Sequence, residues 1–429
     1  MYRKEYTETI FRTGSHTSRK SSVKQHEMAA LREMEQMILA AEAVPAGAEA
    51  LERATAHLEQ FLQQVRQKRI LDEKQRAMEA FRQQFENGYT WRNGFLRNVA
   101  RFGDREALIE PESGTVWTYT QLNAEANRLS HALLRAGLQK GDVVMVQLHN
   151  CPEFVFAYLA CHKTGMVFCP VNFRLSAKEI TDCIDNSRPK VFLLEPETQA
   201  EVDMALRRTA HAPQILLTTD ARAAHAYAGF TADCPATEPE LPWELSVYDE
   251  TLRLFTSGTT GRQKSVCLTS INEVLSAHDV MIHFPFSFTD RSMNTTPWFH
   301  RGGLHSGGIT PTLYAGGTVI IQRKFQPEKT LDMVQQYGLT FLIGVPNVLE
   351  LLAEAQQKQP RDLSSLRGIV TMGSPLERAD CIRYQKILTK RIFNGYGTTE
   401  TFWNTFLRPD DLPEMAGSAG RSCVDDDVR

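Results

Sequence analysis

From residue 25 to residue 85 the apolar positions recur at helical spacing. Leu31, Met34 and Ile38 share one face; Leu58, Phe61, Leu62 and Val65 share another; Met78, Phe81 and Phe85 a third. The residues between them are mostly Ala, Glu, Gln and Arg, all strong helix formers. Pro45-Ala46-Gly47 interrupts the run. The pattern predicts two helices, the second long and kinked. Asn87-Gly88 is a turn signal. Residues 1–88 are therefore expected to form a helical extension, suited to oligomerisation or to packing on the body, and residues 89–429 a large separate domain.

Beyond residue 89 the period changes. Short β-branched and apolar runs occur at 143–148, 191–194, 215–217, 252–255, 318–321, 341–343, 369–372 and 392–393. Amphipathic stretches at 122–135, 328–337 and 345–355 separate several of them. Continuously apolar strands alternating with helices predict an α/β fold, with mostly parallel sheets flanked by helices. In such folds ligands bind at the carboxyl ends of strands, so a motif placed directly after a strand carries weight. Residues 221–242, rich in Ala and with three Pro, read as an exposed loop.

Composition narrows the picture. The chain has 429 residues, 42% hydrophobic and 23% charged. That excludes a disordered tail, a collagen and a disulfide miniprotein. The net charge of -3 argues against a nucleic-acid partner gripped by bulk positive charge. Mean hydropathy is -0.33, and no apolar run approaches the roughly 18–20 residues of a membrane helix, so no transmembrane segment is expected. The first 24 residues are basic but no apolar stretch follows, so they read as a loosely ordered arm rather than a secretory signal. Cys151, Cys161, Cys169, Cys183, Cys234, Cys267, Cys381 and Cys423 include no C-x-x-C pair. They read as reduced, buried thiols of a cytoplasmic protein.

The chemistry concentrates in two segments. Thr256-Ser257-Gly258-Thr259-Thr260-Gly261-Arg262-Gln263-Lys264 follows a predicted strand. Its glycines let the backbone approach a ligand closely. Its four hydroxyls and its lysine add donors and positive charge, which together suit a polyphosphate. It is not a Walker A loop, because Gln263 stands where that motif needs Gly before Lys. Far downstream, Asn394-Gly395-Tyr396-Gly397-Thr398-Thr399-Glu400 follows the strand predicted at 392–393. Tyr396 offers a flat face for a purine, Gly397 permits close approach, Thr399 can donate to a phosphate oxygen, and Glu400 is a hard oxygen ligand for Mg2+. Thr371-Met372-Gly373-Ser374-Pro375-Leu376 and Thr296-Pro297-Trp298-Phe299-His300-Arg301-Gly302-Gly303 also stand at strand ends or near them.

Together these segments resemble the adenylate-forming (AMP-binding) superfamily, in its acyl-CoA synthetase branch. The first resembles the signature T-S-G-T-T-G-x-P-K-G, with departures at Gln263 and Ser265, and Ser270 stands where a His often follows. The second resembles N-x-Y-G-x-T-E without departure. The resemblance spans roughly residues 90–429, taking in Gly417-Ser418-Ala419-Gly420-Arg421 near the end. It implies a large adenylation domain that binds ATP, Mg2+ and CoA as co-substrate, with Thr256, Ser257, Thr259, Thr260 and Lys264 on the β- and γ-phosphates. Thr399 would meet the α-phosphate, Glu400 the metal and Tyr396 the adenine. Gly258, Gly261, Asn394, Gly397 and Thr398 would line the nucleotide, and the backbone at Gly373 and Ser374 the adenine and acyl pockets. His300 would flank the carboxylate.

The implied activity is ATP-dependent carboxylate–CoA ligation, a carboxylic acid being converted to its acyl-adenylate and then to a thioester. No T-G-D motif and no small C-terminal domain follow, so a truncated, poorly active chain is expected. Two rival readings stand: an amino-acid-activating module, which usually carries an Asp near positions 298–300, and a non-catalytic binding or assembly protein.

Overall fold

The computed structural model describes residues 36, 48–257, 263–424 and 426–428. The basic arm and, but for residue 36, the first predicted helix lie outside them. The chain divides into two units, between Phe81 and Arg82; the sequence suggested Asn87-Gly88. In the first unit, α1 (Ala48–Phe81) is a helix of 34 residues. Arg69 reaches Glu73 at 3.1 Å and Gln75 reaches Glu79 at 3.2 Å, the i,i+4 pairing that supports an exposed helix. Its Ile70, Leu71, Met78 and Phe81 are exposed.

The second unit opens on one π-helical turn, Arg82–Asn87. Its strands are β1 (Glu106–Glu110), β2 (Thr115–Thr118), β3 (Val143–Gln147), β4 (Val167–Pro170), β5 (Val191–Leu194), β6 (Ile215–Thr218), β7 (Glu250–Ser257) and β8 (Gln263–Thr269). They continue as β9 (Arg291–Asn294), β10 (Thr318–Ile320), β11 (Phe341–Gly344), β12 (Gly368–Met372), β13 (Ile392–Thr398), β14 (Phe402–Leu407) and β15 (Arg421–Ser422). The helices that matter below are α2 (Trp91–Phe102), α3 (Tyr119–Arg135), α4 (Pro152–Thr164), α5 (Ala177–Ser187) and α6 (Gln199–Leu206). After them come α7 (Tyr227–Thr231), α8 (Ser270–His283), α9 (Arg301–His305), α10 (Ile309–Ala315), α11 (Pro327–Tyr337), α12 (Pro346–Lys358) and α13 (Arg378–Ile387).

Two sheets result. One has the order β6-β5-β3-β4-β7-β8, the other β15-β14-β13-β12-β11-β9-β10-β1-β2. The first is parallel except for the β7–β8 hairpin; the second is parallel from β13 to β1, with antiparallel edges. This is the expected mostly parallel α/β architecture. Side chains alternate faces along each strand. Val144 and Val146 face a core shared with α4, while Val143 and Met145 face α5 and α6. Phe341 and Ile343 pack with Phe284, Trp403 and Phe406, while Leu342 packs with Leu331 and Leu349.

Local signals set the helix starts. Thr118 and Gln121 form a capping box on α3, and Ser176 and Glu179 one on α5. Pro152 opens α4, and Gly165, at φ 74°, closes it.

Two expectations need correction. The stretch 221–242 is mostly exposed and irregular, as expected, but not wholly so: it forms the short α7, buries Tyr227, Thr231 and Cys234, and places Glu238 against Lys163 at 2.7 Å and 2.8 Å. Some of its few apolar residues, and one of its three acids, find partners on the body, which composition alone hides. Seven cysteines are buried as expected, but Cys267 is exposed, because β8 is the edge strand of its sheet. Among the described residues no helix is long and apolar enough to cross a membrane.

Candidate functional site

Three of the four segments singled out from the sequence meet along one edge. Strands β13, β12, β11 and β9 are neighbours and run parallel, so their carboxyl ends line up. After β9 comes 295–303, after β12 comes Gly373, and β13 carries Asn394 to Thr398. A side chain at Gly302 would stand 3.1 Å from Met372 Sδ, so the 296–303 and 371–376 segments touch. Gly373 has φ 84° and is exposed with Ser374 at the strand end.

The 394–400 segment is extended further than its motif suggests. Residues 394–398 belong to β13 itself, and only Thr399 and Glu400 lie in the turn to β14. Thr398 pairs with Phe402, and Thr401 in the turn bonds Thr398 on one strand and Asn404 on the other. Tyr396 is 58% exposed, so its ring is free to stack. Gly397 is required: a Cβ there would lie 1.5 Å from the Phe402 carbonyl oxygen. Thr371 and Asn394 are register partners on adjacent strands. The side-chain oxygens Thr371 Oγ1 and Asn394 Oδ1 are both buried without a partner among the described residues. Such oxygens are costly unless something polar meets them, which fits a polar ligand at these strand ends.

Trp298 and Phe299 are buried, and His300 lies on the exposed side of Phe299 with ring centroids 4.2 Å apart. The surrounding protein desolvates the His300 ring and lowers its pKa below 6.5. The main chain here is held from the other sheet: Asn150 accepts from the Trp298 N–H at 2.9 Å and donates to the Thr296 carbonyl at 3.3 Å. A second tie joins the sheets' carboxyl ends, where Arg323 and His149 both reach buried Glu195 at 2.6 Å.

The hydroxyl-rich segment belongs to the six-stranded sheet. Thr256, near the end of β7, pairs with Lys264 on β8, and Ser257, its last residue, pairs with Gln263. Lys264 is exposed. Gly258, Thr259, Thr260, Gly261 and Arg262 lie outside the described residues. The departures from the signature have local roles. Gln263 and Ser265 are rungs of the hairpin ladder, and Ser270 accepts the Trp91 N–H at 3.0 Å.

What links this hairpin to Thr399 is α8, which leaves β8 directly. Ser276 on α8 accepts from Arg301 Nη2 at 3.1 Å, and Arg301 Nη1 donates to the Thr399 carbonyl. Beneath them lies a buried polar cluster that the sequence reading missed. Glu273 Oε1 lies 2.7 Å from His305 Nε2, Tyr158 donates to Oε2 at 2.6 Å, and His162 stands 3.8 Å away. Burial alone would raise the Glu273 carboxyl; His305 foremost, then His162 and the Tyr158 hydroxyl, bring it down to about 2. Burial brings His162 down to about 4. The available signal was Glu273 on the same helical stripe as buried Ser270, Ala277 and Val280.

Among the described residues no group of three or more His, Cys, Asp or Glu side chains could by itself hold a metal. Glu400 is a single exposed carboxylate, so a divalent cation there would need oxygens from a ligand as well, the usual arrangement for Mg2+.

The chain is 32% identical over 328 residues to the indoleacetate–CoA ligase of Aromatoleum aromaticum, covering 74% of this chain and 63% of that protein. It is 31% identical over 334 residues to a feruloyl-CoA synthase of an Amycolatopsis species, covering 76% of this chain and 64% of that one. It thus spans under two thirds of the length of either relative. A Mycobacterium tuberculosis fatty acyl CoA synthetase superposes with a TM-score of 0.72 at 25% identity, over 79% of this chain and 66% of that one. Residues 95–429 match the family described as AMP-binding enzyme, and the chain belongs to that family.

Proposed function

We propose that this chain carries the adenylating centre of an ATP-dependent carboxylate–CoA ligase. The observation that carries the reading is the meeting of 296–303, 371–374 and 394–400 at the carboxyl ends of neighbouring parallel strands. A carboxylate attacks the α-phosphorus of ATP, giving acyl-adenylate and pyrophosphate; the CoA thiol then displaces AMP to give the thioester. Two anions meet in the first step, so charge neutralisation and positioning dominate.

Lys264 and the hydroxyls of Thr256, Ser257, Thr259 and Thr260 take the β- and γ-phosphates. Thr399 donates to the α-phosphate, and Tyr396 stacks on adenine. Gly258, Gly261, Gly373, Ser374, Asn394, Gly397 and Thr398 supply the backbone and polar lining. Glu400, together with phosphate oxygens, holds Mg2+, whose charge offsets that of the reacting anions. His300 stands beside the acid.

The segment Pro297-Trp298-Phe299-His300 holds no carboxylate to receive an ammonium group, which favours an ordinary acid over an amino acid. Buried Trp298 and Phe299 suit an apolar or aromatic acyl group, in keeping with two relatives named for indoleacetate and ferulate. The test is pyrophosphate release by the full-length gene product with ATP, CoA and a panel of arylacetic, cinnamic, fatty and amino acids. Release with the first three classes and thioester formation support the ligase. Dependence on amino acids, or no release with any acid, overturns it in favour of an amino-acid-activating module or of a binding protein.

A further inference from the structure

Arg301 is the first residue of α9, 6% exposed, in a place where the protein offers it no carboxylate within ion-pair distance among the described residues. Three groups hold its guanidinium instead. Nη1 donates to the Thr399 carbonyl, Nη2 donates to Ser276 Oγ at 3.1 Å, and the carbon of the head lies 5.2 Å over the Phe402 ring. Nε is buried and without a partner. Buried Glu273 favours its charge electrostatically but is itself engaged by His305 and Tyr158. Burial lowers the Arg301 pKa to about 10, leaving the group charged at neutral pH.

A buried cation whose close partners are a carbonyl, a hydroxyl and a ring, with Glu273, Asp279 and Glu400 favouring its charge electrostatically, is still a costly arrangement. What it secures is the turn between β13 and β14. The ladder ends at Thr398 and Phe402, so Thr399 and Glu400 stand beyond it. Phe402 has φ 65°, a left-handed conformation a bulky residue rarely adopts. The Thr398–Thr401–Asn404 bonds close the turn on itself but do not fix it to the body. Arg301 reaches the turn at both Thr399 and Phe402, and its anchor, Ser276, sits on the helix that continues from the Lys264 strand.

We propose that Arg301 is a positioning residue that fixes the Thr399 main chain, and with it the direction of Glu400, from an anchor on α8. The consequence for nucleotide handling rests on the ligase reading; the mechanical claim does not. The sequence motif around His300 gave no hint of it, because position 301 matters through a carbonyl 98 residues away.

The experiment compares wild type with Arg301→Met, Arg301→Lys and Ser276→Ala in the full-length protein. Amide hydrogen exchange is read over residues 396–404 without ligand. Arg301→Met should exchange about tenfold or more faster there, as expected for loss of a charge-assisted hydrogen bond. Arg301→Lys, which can reach one acceptor but not both, should fall between, and Ser276→Ala should show a smaller effect in the same residues. Wild-type protection in a folded Arg301→Met protein overturns the proposal. If that variant does not fold, Ser276→Ala decides: no change at 396–404 overturns it. Kinetics supply the second readout. Arg301→Met should raise KM for Mg·ATP about tenfold with KM for the acid unchanged; a change confined to the acid would place Arg301 in the acid pocket and overturn the assignment. Absence of acid-dependent pyrophosphate release by wild type would sink the ligase reading alone, and the exchange data would still judge Arg301.

Discussion

Tyr158 donates its phenolic hydroxyl to Glu273 at 2.6 Å, across 115 residues of sequence, with both side chains wholly buried. One lies on α4, against the six-stranded sheet, and the other on α8, the helix that follows the β7–β8 hairpin. Thr310 on α10 approaches the same hydroxyl at 2.8 Å. With His305 on α9 held by the same carboxylate at 2.7 Å, Glu273 ties four helices together, and its removal leaves several buried polar groups without a partner.

Glu273→Ala is therefore expected to lower unfolding free energy by about 3–5 kcal/mol, the usual result of breaking a buried charged pair from one side. Glu273→Gln keeps the shape and one acceptor and should lose less. Urea midpoints with unchanged slopes are the check; an alanine variant as stable as wild type would show that the cluster is mere packing.

Acid should weaken the fold in two stages. His162 falls from 6.5 to about 4 on folding. The unfolded chain therefore takes up its proton first, and stability drops as pH falls through that window. Glu273 falls from 4.5 to about 2. Its stabilisation is complete above 4.5 and is lost as pH falls toward 2. Stability curves of wild type and His162→Phe between pH 7 and pH 4 should differ in slope, the variant being flatter. Parallel curves would assign the acid response elsewhere.

Gly397→Ala meets backbone, which cannot swing aside. With the Cβ 1.5 Å from the Phe402 carbonyl oxygen, the β13–β14 hairpin must open locally, at a cost of about 3 kcal/mol. Nucleotide affinity, read by calorimetry with AMP, should fall with it. Unchanged affinity would detach this hairpin from the nucleotide.

Lys264→Ala and Glu400→Ala should each reduce adenylation by the full-length enzyme about 10²-fold, as for the loss of one electrostatic donor at a charged transition state. Pyrophosphate exchange at saturating acid is the measurement, and wild-type rates in both variants would refute their placement on phosphate and metal.

The parallel core was legible because buried parallel strands are apolar at every position, as at 191–194 and 341–343. Legibility was not complete even there, since the short, fully apolar β4 was not singled out as a strand; other strands escaped notice because their polar side chains serve a structural purpose. β9 reads Arg-Ser-Met-Asn, yet Ser292 donates to the Gly307 carbonyl and Asn294 to the carbonyls of Gly302 and Ser306. β14 and β15 are antiparallel edges set by pairing with β13, which no local period announces. Within the site, glycines and hydroxyls stood out because their spacing is tied to a backbone that must come close to a ligand. Arg301 and Glu273 did not, since each acts on partners that only the tertiary fold brings near.

The edge position of β8 leaves one thiol, that of Cys267, open to reagents while the other seven are shielded. Desolvation and the neighbouring Glu250 raise its pKa, so alkylation will be slow near neutrality and confined to a single site. A maleimide dye attached there would sit three residues from Lys264 on the same strand, giving a native optical reporter of whatever the hairpin does when nucleotide arrives, with no cysteine to remove first.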